Sequence, residues 1–296
     1  MAAKIQIPDE LKKELPPSTW GKILGATPIV MTVIATMLAG LASSEMTKAQ
    51  YDRSLAAQLQ SKAGDQWGYA AAKKTRGALA HNSLDVLAST ADVHPLAAAN
   101  LPGADAATLA ALTKGELPVA ERVKFSAEIQ SALDAVASSA PETKVAARLA
   151  KVKKEAVAAA LESAQAAAVA FDNAAKPITT FSDQQDEVRL AAGDKNAFAG
   201  FAAARLRYTA ARYDTEAALN QGIAGIFELQ VREENILAEK HHARSGKFFI
   251  GMLAAQAAVI IATFAVAARK KNFLWTVAAI AGSLAVAFSL YVYLYV

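Results

Sequence analysis

The stretch 248–296 decides the fold, and it reads FFIGMLAAQAAVIIATFAVAA (248–268), RKKN (269–272) and FLWTVAAIAGSLAVAFSLYVYLYV (273–296). Each apolar run has about the 20 residues that a helix needs to cross the hydrocarbon of a membrane. The short break between them leaves room only for a turn. Trp275 and the tyrosines near the C-terminus suit the headgroup levels. The sequence therefore predicts two antiparallel transmembrane helices, 248–268 and 273–295.

A third apolar run, 23–42, follows a polar leader, 1–22. The leader carries basic residues and Leu41-Ala42-Ser43 resembles a cleavage site, so a signal peptide that is removed after export is one interpretation. However, the run is long for such a peptide, and the leader also contains Asp9 and Glu14. We therefore predict a retained first transmembrane helix, with Pro28 tolerated in its first turns.

The composition narrows the classes of function. The chain has no cysteine and a formal net charge of +4, with basic and acidic residues interspersed. It therefore lacks thiolate metal ligands, a cysteine nucleophile and disulfides, and it carries no basic patch that would indicate nucleic-acid binding. No nucleophile elbow, phosphate-binding loop or zinc motif is present. We accordingly predict a protein that is not an enzyme and that needs no cofactor.

The region 43–247 is predicted to be a helical soluble domain. Two long helices, 43–90 and 195–247, form a hairpin, and 91–194 is an insert between them. Six residues of the second helix, most of them apolar, recur every seven positions, which is typical of a coiled-coil seam. The recurring residues are Phe201, Tyr208, Thr215, Gly222, Leu229 and Ile236. The predicted fold class is thus an all-α membrane protein with three transmembrane helices and a long, coiled-coil-like helical hairpin.

Proline and glycine divide the insert. Helices are predicted over 104–113, 118–139 and 141–175, with Pro118 and Pro141 in first helical turns. The segment Lys176–Asp183 contains Pro177 and several potential N-cap residues. We expect it to end one helix and to cap the next.

Residues 64–74 read GDQWGYAAAKK and resemble the D-Q-W-x-Y-x-x-A-K signature of the uncharacterised bacterial membrane proteins catalogued as domain of unknown function 4337. Further similar motifs are Arg207-Tyr208, Tyr213-Asp214, Glu228, His241-His242 and Leu274-Trp275. The resemblance covers the two long helices and the three apolar runs, and it does not extend to the insert. It implies the architecture of that family, which has no established activity, and leaves function open.

Five residues of this signature form the strongest candidate interaction patch: Asp65, Gln66, Trp67, Tyr69 and Lys73. On a helix, Gln66, Tyr69 and Lys73 share one face, and Asp65 lies over Tyr69. One interpretation is a polar contact patch for a partner or ligand. The other is a polar lock, meaning a set of polar side chains that fixes how two long helices align, as single polar residues do in coiled coils.

A second group of residues is predicted to contact lipid headgroups. Its members are His241, His242, Arg244, Lys247, Arg269, Lys270 and Lys271, which flank the apolar runs. Glu239 and His242 have the Glu-x-x-His spacing of di-iron bundles, but the sequence has no second copy of that motif. We therefore predict no metal site.

Small residues on the apolar runs allow helices to approach closely. The candidate packing positions are Gly40, Gly251, Ala255, Ala258 and Gly282. Because three helices have more such faces than one chain uses, we expect lateral association of the chain with itself. The predicted function is a non-catalytic membrane scaffold, and the alternative is a membrane-tethered sensor or a module that binds another membrane protein. Leucine at 258 or 282 would then weaken the oligomer.

Basic residues in short segments predict the topology. The leader and the turn 269–271 are both basic, and such segments stay in the cytoplasm. Lys240, Arg244 and Lys247 flank the hairpin on the other side and weaken this argument. We expect a multi-pass protein of the bacterial inner membrane, with its helical domain in the periplasm.

Overall fold

The computed structural model describes residues 19–118, 124–192, 195–267 and 273–295, and these ranges contain helices and no strand. The helices are α1 (Thr19–Thr90), α2 (Ala106–Lys114), α3 (Ala127–Ala137), α4 (Glu142–Leu149), α5 (Lys154–Ala192), α6 (Lys195–Ala267) and α7 (Phe273–Tyr295), with a 3₁₀ turn at Ala98–Asn100. The all-α prediction is confirmed for this part of the chain. Most of the leader, 1–18, lies outside the described residues.

The two longest helices each join an apolar run to a polar segment. α6 continues without a break from Lys195 to Ala267, as the absence of proline over this range predicted. α1 likewise runs from the first apolar segment to Thr90. The prediction that Pro28 lies in the first turns of this helix was wrong, because α1 begins at Thr19 and Pro28 lies in its interior.

The chain divides into a terminal unit, Met1–Ser54 with Glu234–Val296, and a central unit, Leu55–Glu233. Three helices, α1, α6 and α7, each have a segment long and apolar enough to cross a membrane. In the terminal unit these segments bury a core of small and apolar side chains. The core consists of Ala35, Leu38, Ala42, Phe248, Ala255, Ala285 and Val292. Large apolar side chains such as Val33, Phe264 and Leu284 face outward, which suits a lipid environment.

In the central unit, α1 and α6 pack through rows of small residues. Buried positions on α1 recur every seven residues, at Ala56, Ala63, Ala70 and Gly77. Those on α6 do the same, at Ala203, Ala210, Ala217, Ala224 and Val231. The backbones approach closely where the rows meet, because a β-carbon at Gly77 would lie 3.6 Å from the carbonyl oxygen of Ala210. From the predicted seam of α6, Phe201, Tyr208 and Leu229 are buried as well.

Two of the helices predicted for the insert were wrong. α3 begins at Ala127, where the Ser126 hydroxyl accepts from the backbone N–H of Ile129 at 3.3 Å, and not at Pro118. The predicted helix 141–175 is interrupted after Leu149, and its second part, α5, runs through Pro177 to Ala192. Lys176–Asp183 therefore neither ends a helix nor caps one.

Packing explains why α5 continues through Pro177. Phe171, Ala175, Ile178 and Ser182 are buried at spacings of four and three, so one buried face runs across the proline. Beyond it, Arg205 of α6 forms ion pairs at 2.6 Å with Asp183 and Asp186 of α5. These contacts offset the stability that is lost because proline cannot donate a backbone hydrogen bond. The insert thus adds a third long helix beside α6.

Candidate interaction site

The structure separates the five residues of the predicted patch. Lys73 and Gln66 are partly buried on the inner face of α1, whereas Asp65 is exposed and Tyr69 is 62% exposed. Trp67 lies at the rim, 40% exposed. Gln66, Tyr69 and Lys73 thus lie on one continuous helix at the predicted spacing, but only Gln66 and Lys73 are turned inward. The buried row at intervals of seven sets the inner face, and Tyr69 lies to one side of it.

Lys73 belongs to an ionic cluster with two residues of α6, Glu216 and Arg212. The Lys73 ammonium contacts one oxygen of Glu216, and Arg212 Nε lies 3.2 Å from the other. The Arg212 N–H is not aimed for a hydrogen bond there, so this second contact is an ion pair without one. Arg212 Nη1 donates to Thr179 Oγ1 of α5 at 2.5 Å. One cluster thus joins three long helices.

All three charged side chains of this cluster are largely withdrawn from water. The exposed fraction of the side chain is 21% for Lys73, 9% for Glu216 and 14% for Arg212. The ring of Tyr213 lies under both cations, 5.3 Å from Lys73 Nζ and 4.6 Å from Arg212 Cζ. Burial of this kind is favourable only when every charge keeps a partner. The arrangement fits the polar lock that we considered for Lys73.

Tyr208 lies beside this cluster, between α5 and α6. Its side chain is buried, and its hydroxyl donates to the Ala175 carbonyl oxygen at 3.4 Å. Burial raises the pKa of the phenol above 10.0 and outweighs the opposing influence of Arg212. The hydroxyl therefore remains a neutral hydrogen-bond donor at physiological pH.

Trp67 makes the second polar contact between α1 and α6. Its indole Nε1 donates to Glu228 Oε1 at 2.8 Å. Farther along, the His81 ring lies 3.3 Å from Asp214. By contrast, the Oε1 atom of Gln66 is buried and has no hydrogen-bond partner among the described residues, a costly arrangement.

In the terminal unit, the side chain of His241 points toward α1, and not toward the lipid headgroups that it was predicted to contact. Its Nδ1 lies 2.6 Å from Glu45 Oε2, and its Nε2 lies 3.9 Å from Asp52. Burial raises the pKa of Glu45, but hydrogen bonds from Lys48 and His241 outweigh this and hold the pKa below 4.5. The carboxylate of Glu45 is thus ionised, and it fixes the imidazole against α1.

The other predicted headgroup residues differ in exposure. His242 is exposed, whereas Arg244 and Lys247 are partly buried. The remaining three, Arg269, Lys270 and Lys271, lie outside the described residues. Lipid contact therefore stays a prediction for all of these except His241, whose ring is already engaged.

Small residues of the apolar runs fall into two groups. Gly251, Ala255, Ala258 and Gly282 are buried inside the terminal unit. A β-carbon at Gly282 would overlap the side chain of Met31, and one at Gly251 would overlap Ser289. Gly40, in contrast, is exposed, and no atom of the described residues lies within 4 Å of its β-position. Leucine at 258 or 282 would thus disturb the packing of a single chain before it affected an oligomer.

One polar residue of the apolar runs was not singled out from the sequence. Gln256 lies near the middle of the apolar run 248–268, and its side chain is exposed and makes no hydrogen bond in the described structure. It lines a groove of about 430 Å³ with Thr32, Ala35, Thr36, Ala39, Val259 and Ile260. Its signal was present in the sequence as the one amide in 248–268.

The described residues contain no group of three or more His, Asp, Glu or Cys side chains placed to hold a metal ion. The absence of a cofactor remains a prediction, as does the resemblance to the family of unknown function. No family model, curated protein or solved structure matches this chain.

Proposed function

We propose that this protein is a non-catalytic, membrane-anchored helical scaffold that associates laterally with copies of itself. The observation that carries the proposal is the exposed side chain of Gln256, which has no hydrogen-bond partner in the described structure. An amide that faces hydrocarbon without a partner is unfavourable, and side-chain amides in membranes commonly bond across helices. A second copy of the chain supplies both the donor and the acceptor that the amide lacks.

The surface around Gln256 suits a close approach between helices. Thr32, Thr36 and Gly40 lie at spacings of four on one exposed face of α1. The two threonine hydroxyls donate to backbone carbonyls of their own helix, at 2.8 and 2.9 Å. They therefore present a surface of small side chains, and Gln256 provides the polar contact that a second copy completes.

Oligomer size in mild detergent tests this proposal. We expect the purified full-length chain to be a homo-oligomer, and Gln256→Leu to weaken association by about 3- to 30-fold, the range for one hydrogen bond between membrane helices. Gly40→Leu should weaken it too, since leucine blocks close approach. Ser283→Leu is the matched control, because it removes an exposed polar side chain from α7.

Two results would count against the scaffold. An oligomer that keeps its size in both Gln256→Leu and Gly40→Leu would move the association surface elsewhere. A native chain that is monomeric and co-purifies with another membrane protein would favour the second candidate, a sensor or partner-binding module. The exposed aromatic rings of Trp67 and Tyr69 favour that candidate, because exposed aromatic residues are common in interfaces.

We further propose that the helical region lies in the periplasm and that the protein resides in a bacterial inner membrane. The basic leader and basic turn support this orientation, because positive charge in short segments is retained in the cytoplasm. The chain has no cysteine, so Ser139→Cys provides a single label. We expect it to react with a membrane-impermeant thiol reagent once the outer membrane is permeabilised, and labelling only after lysis of the inner membrane would reverse the topology.

A further inference from the structure

A cleft of about 590 Å³ opens in the central unit beside Trp67. Helices α1, α3 and α6 contribute to it, together with Phe125. Its lining residues include Trp67, Phe125, Leu133, Asp134, Gly222 and Glu228. This volume lies within the range of small-molecule sites.

The charge of the cleft is negative. Asp134 and Glu228 line it, and none of its described lining residues is Lys, Arg or His. One oxygen of Glu228 accepts from Trp67 at 2.8 Å, and one of Asp134 accepts from the Gln130 amide at 2.8 Å. The second oxygen of each carboxylate makes no hydrogen bond within the described structure. Two carboxylates beside an indole provide the charge and the aromatic surface that recognise a cation.

Gly222 keeps part of the cleft open. Although Gly222 lies inside α6, a β-carbon at this position would have no atom of the described residues within 4 Å. At Gly225, by contrast, a β-carbon would come within 3.2 Å of Leu133 Cδ2, so that glycine serves the packing of α3 on α6. Glycine inside a helix is unfavourable relative to alanine. Because no described atom occupies the space next to Gly222, a ligand can enter it.

We propose that this cleft binds an organic cation, with an ammonium head beside Glu228, Asp134 and Trp67 and an apolar body against Phe125 and Leu133. The carboxylates balance the charge of the head, and the indole adds a cation–π contact. The apolar side chains exclude water around the body of the ligand. Anions are repelled, and neutral ligands lose the electrostatic part of the interaction.

Binding of benzyltrimethylammonium to the full-length chain tests this inference. Tryptophan fluorescence is the readout in a Trp20→Phe/Trp275→Phe background, which leaves Trp67 as the reporter among the three tryptophans of the chain. We expect saturable binding, weakened about tenfold or more by Glu228→Gln and lost in Gly222→Leu. Benzenesulfonate should not bind. Glu162→Gln, which changes an exposed carboxylate elsewhere in the central unit, should leave affinity unchanged.

A second variant separates ligand binding from folding. Gly222→Ala should raise the melting temperature, because alanine favours the helix, and should nevertheless weaken binding of the probe. A signal that does not saturate, or an affinity that is equal in the native chain, Glu228→Gln and Gly222→Leu, overturns the inference. Oligomer size does not enter any of these outcomes, so the result is independent of the proposed scaffold.

Discussion

Replacing Glu216 by glutamine should destabilise the central unit more than any exposed charge substitution. Glu216 is the sole acidic partner shown for both Lys73 and Arg212 in the described structure. The amide keeps the size of the carboxylate and removes its charge. Two partly buried cations would then lie side by side over one tyrosine ring, with no anion between them.

The expected magnitude follows from the burial of the cluster. Removing one partner of a buried ion pair costs about 3–5 kcal/mol, because the remaining charge is left uncompensated. For a domain of 150–250 residues, each kcal/mol shifts the melting temperature by about 2–4 °C. We therefore expect a decrease on the order of 6–20 °C, measured by far-UV circular dichroism of the purified chain in detergent.

Glu162→Gln is the control, because Glu162 lies exposed on α5 and should change the melting temperature little. The double variant Lys73→Met/Glu216→Gln should recover part of the loss, since it removes one of the two unpaired cations. A decrease for Glu216→Gln no larger than that of the control would refute the reasoning. It would mean that water reaches the cluster and screens its charges.

Two further predictions concern local contacts. Glu45→Gln should make the stability of the protein depend less on pH in the acid range. Burial raises the pKa of Glu45, but Lys48 and His241 lower it on balance to below 4.5. The stability that the ionised carboxylate contributes is therefore present above pH 4.5 and is lost as the pH falls through the lower pKa of the folded state. Melting curves from about pH 6 to about pH 3 test this, and a limb identical in both proteins would contradict it. Gly115→Ala should lower the free energy of unfolding by about 1 kcal/mol, because Gly115 ends α2 at a φ of +73°. Gly68→Ala on the exposed face of α1 should stabilise the protein slightly. Melting temperatures that change in the same direction for both variants would refute this contrast.

The long helices could be predicted from the sequence, because the patterns that indicate them extend over 20 residues or more. The apolar runs predicted the three segments that are long and apolar enough to cross a membrane, and the absence of proline after Pro177 predicted the unbroken α6. The helices of the insert were harder to predict, because a single proline does not always end a helix. Pro177 lies inside α5, where the buried face of Phe171 and Ile178 continues past it. That compensation comes from tertiary packing, which no local pattern reveals.

The candidate site was only half predictable. The sequence drew attention to Trp67 and Lys73, but their partners, Glu228 and Glu216, lie more than 140 positions away in the chain. Nothing in the local pattern of α6 distinguishes these two glutamates from exposed ones. The sequence nonetheless carries one signal for this site: alanine or glycine every seven residues from Ala56 to Gly77 marks the inner face of α1. That row would have assigned Tyr69 to the exterior.

The rows of small residues in the central unit have a consequence for insertions and deletions. Because alanine recurs every seven residues on both helices, a deletion of seven residues from α6 leaves small side chains facing each other along the seam. The charges do not share this repeat. Sliding α6 by seven residues would carry Lys73 from Glu216 to Thr209 or Ile223, either of which leaves a buried ammonium without an anion. A seven-residue deletion that the rows of small residues tolerate is therefore destabilising, because Lys73 loses its only carboxylate partner in the described structure. The ionic cluster thus fixes the alignment of α1 and α6.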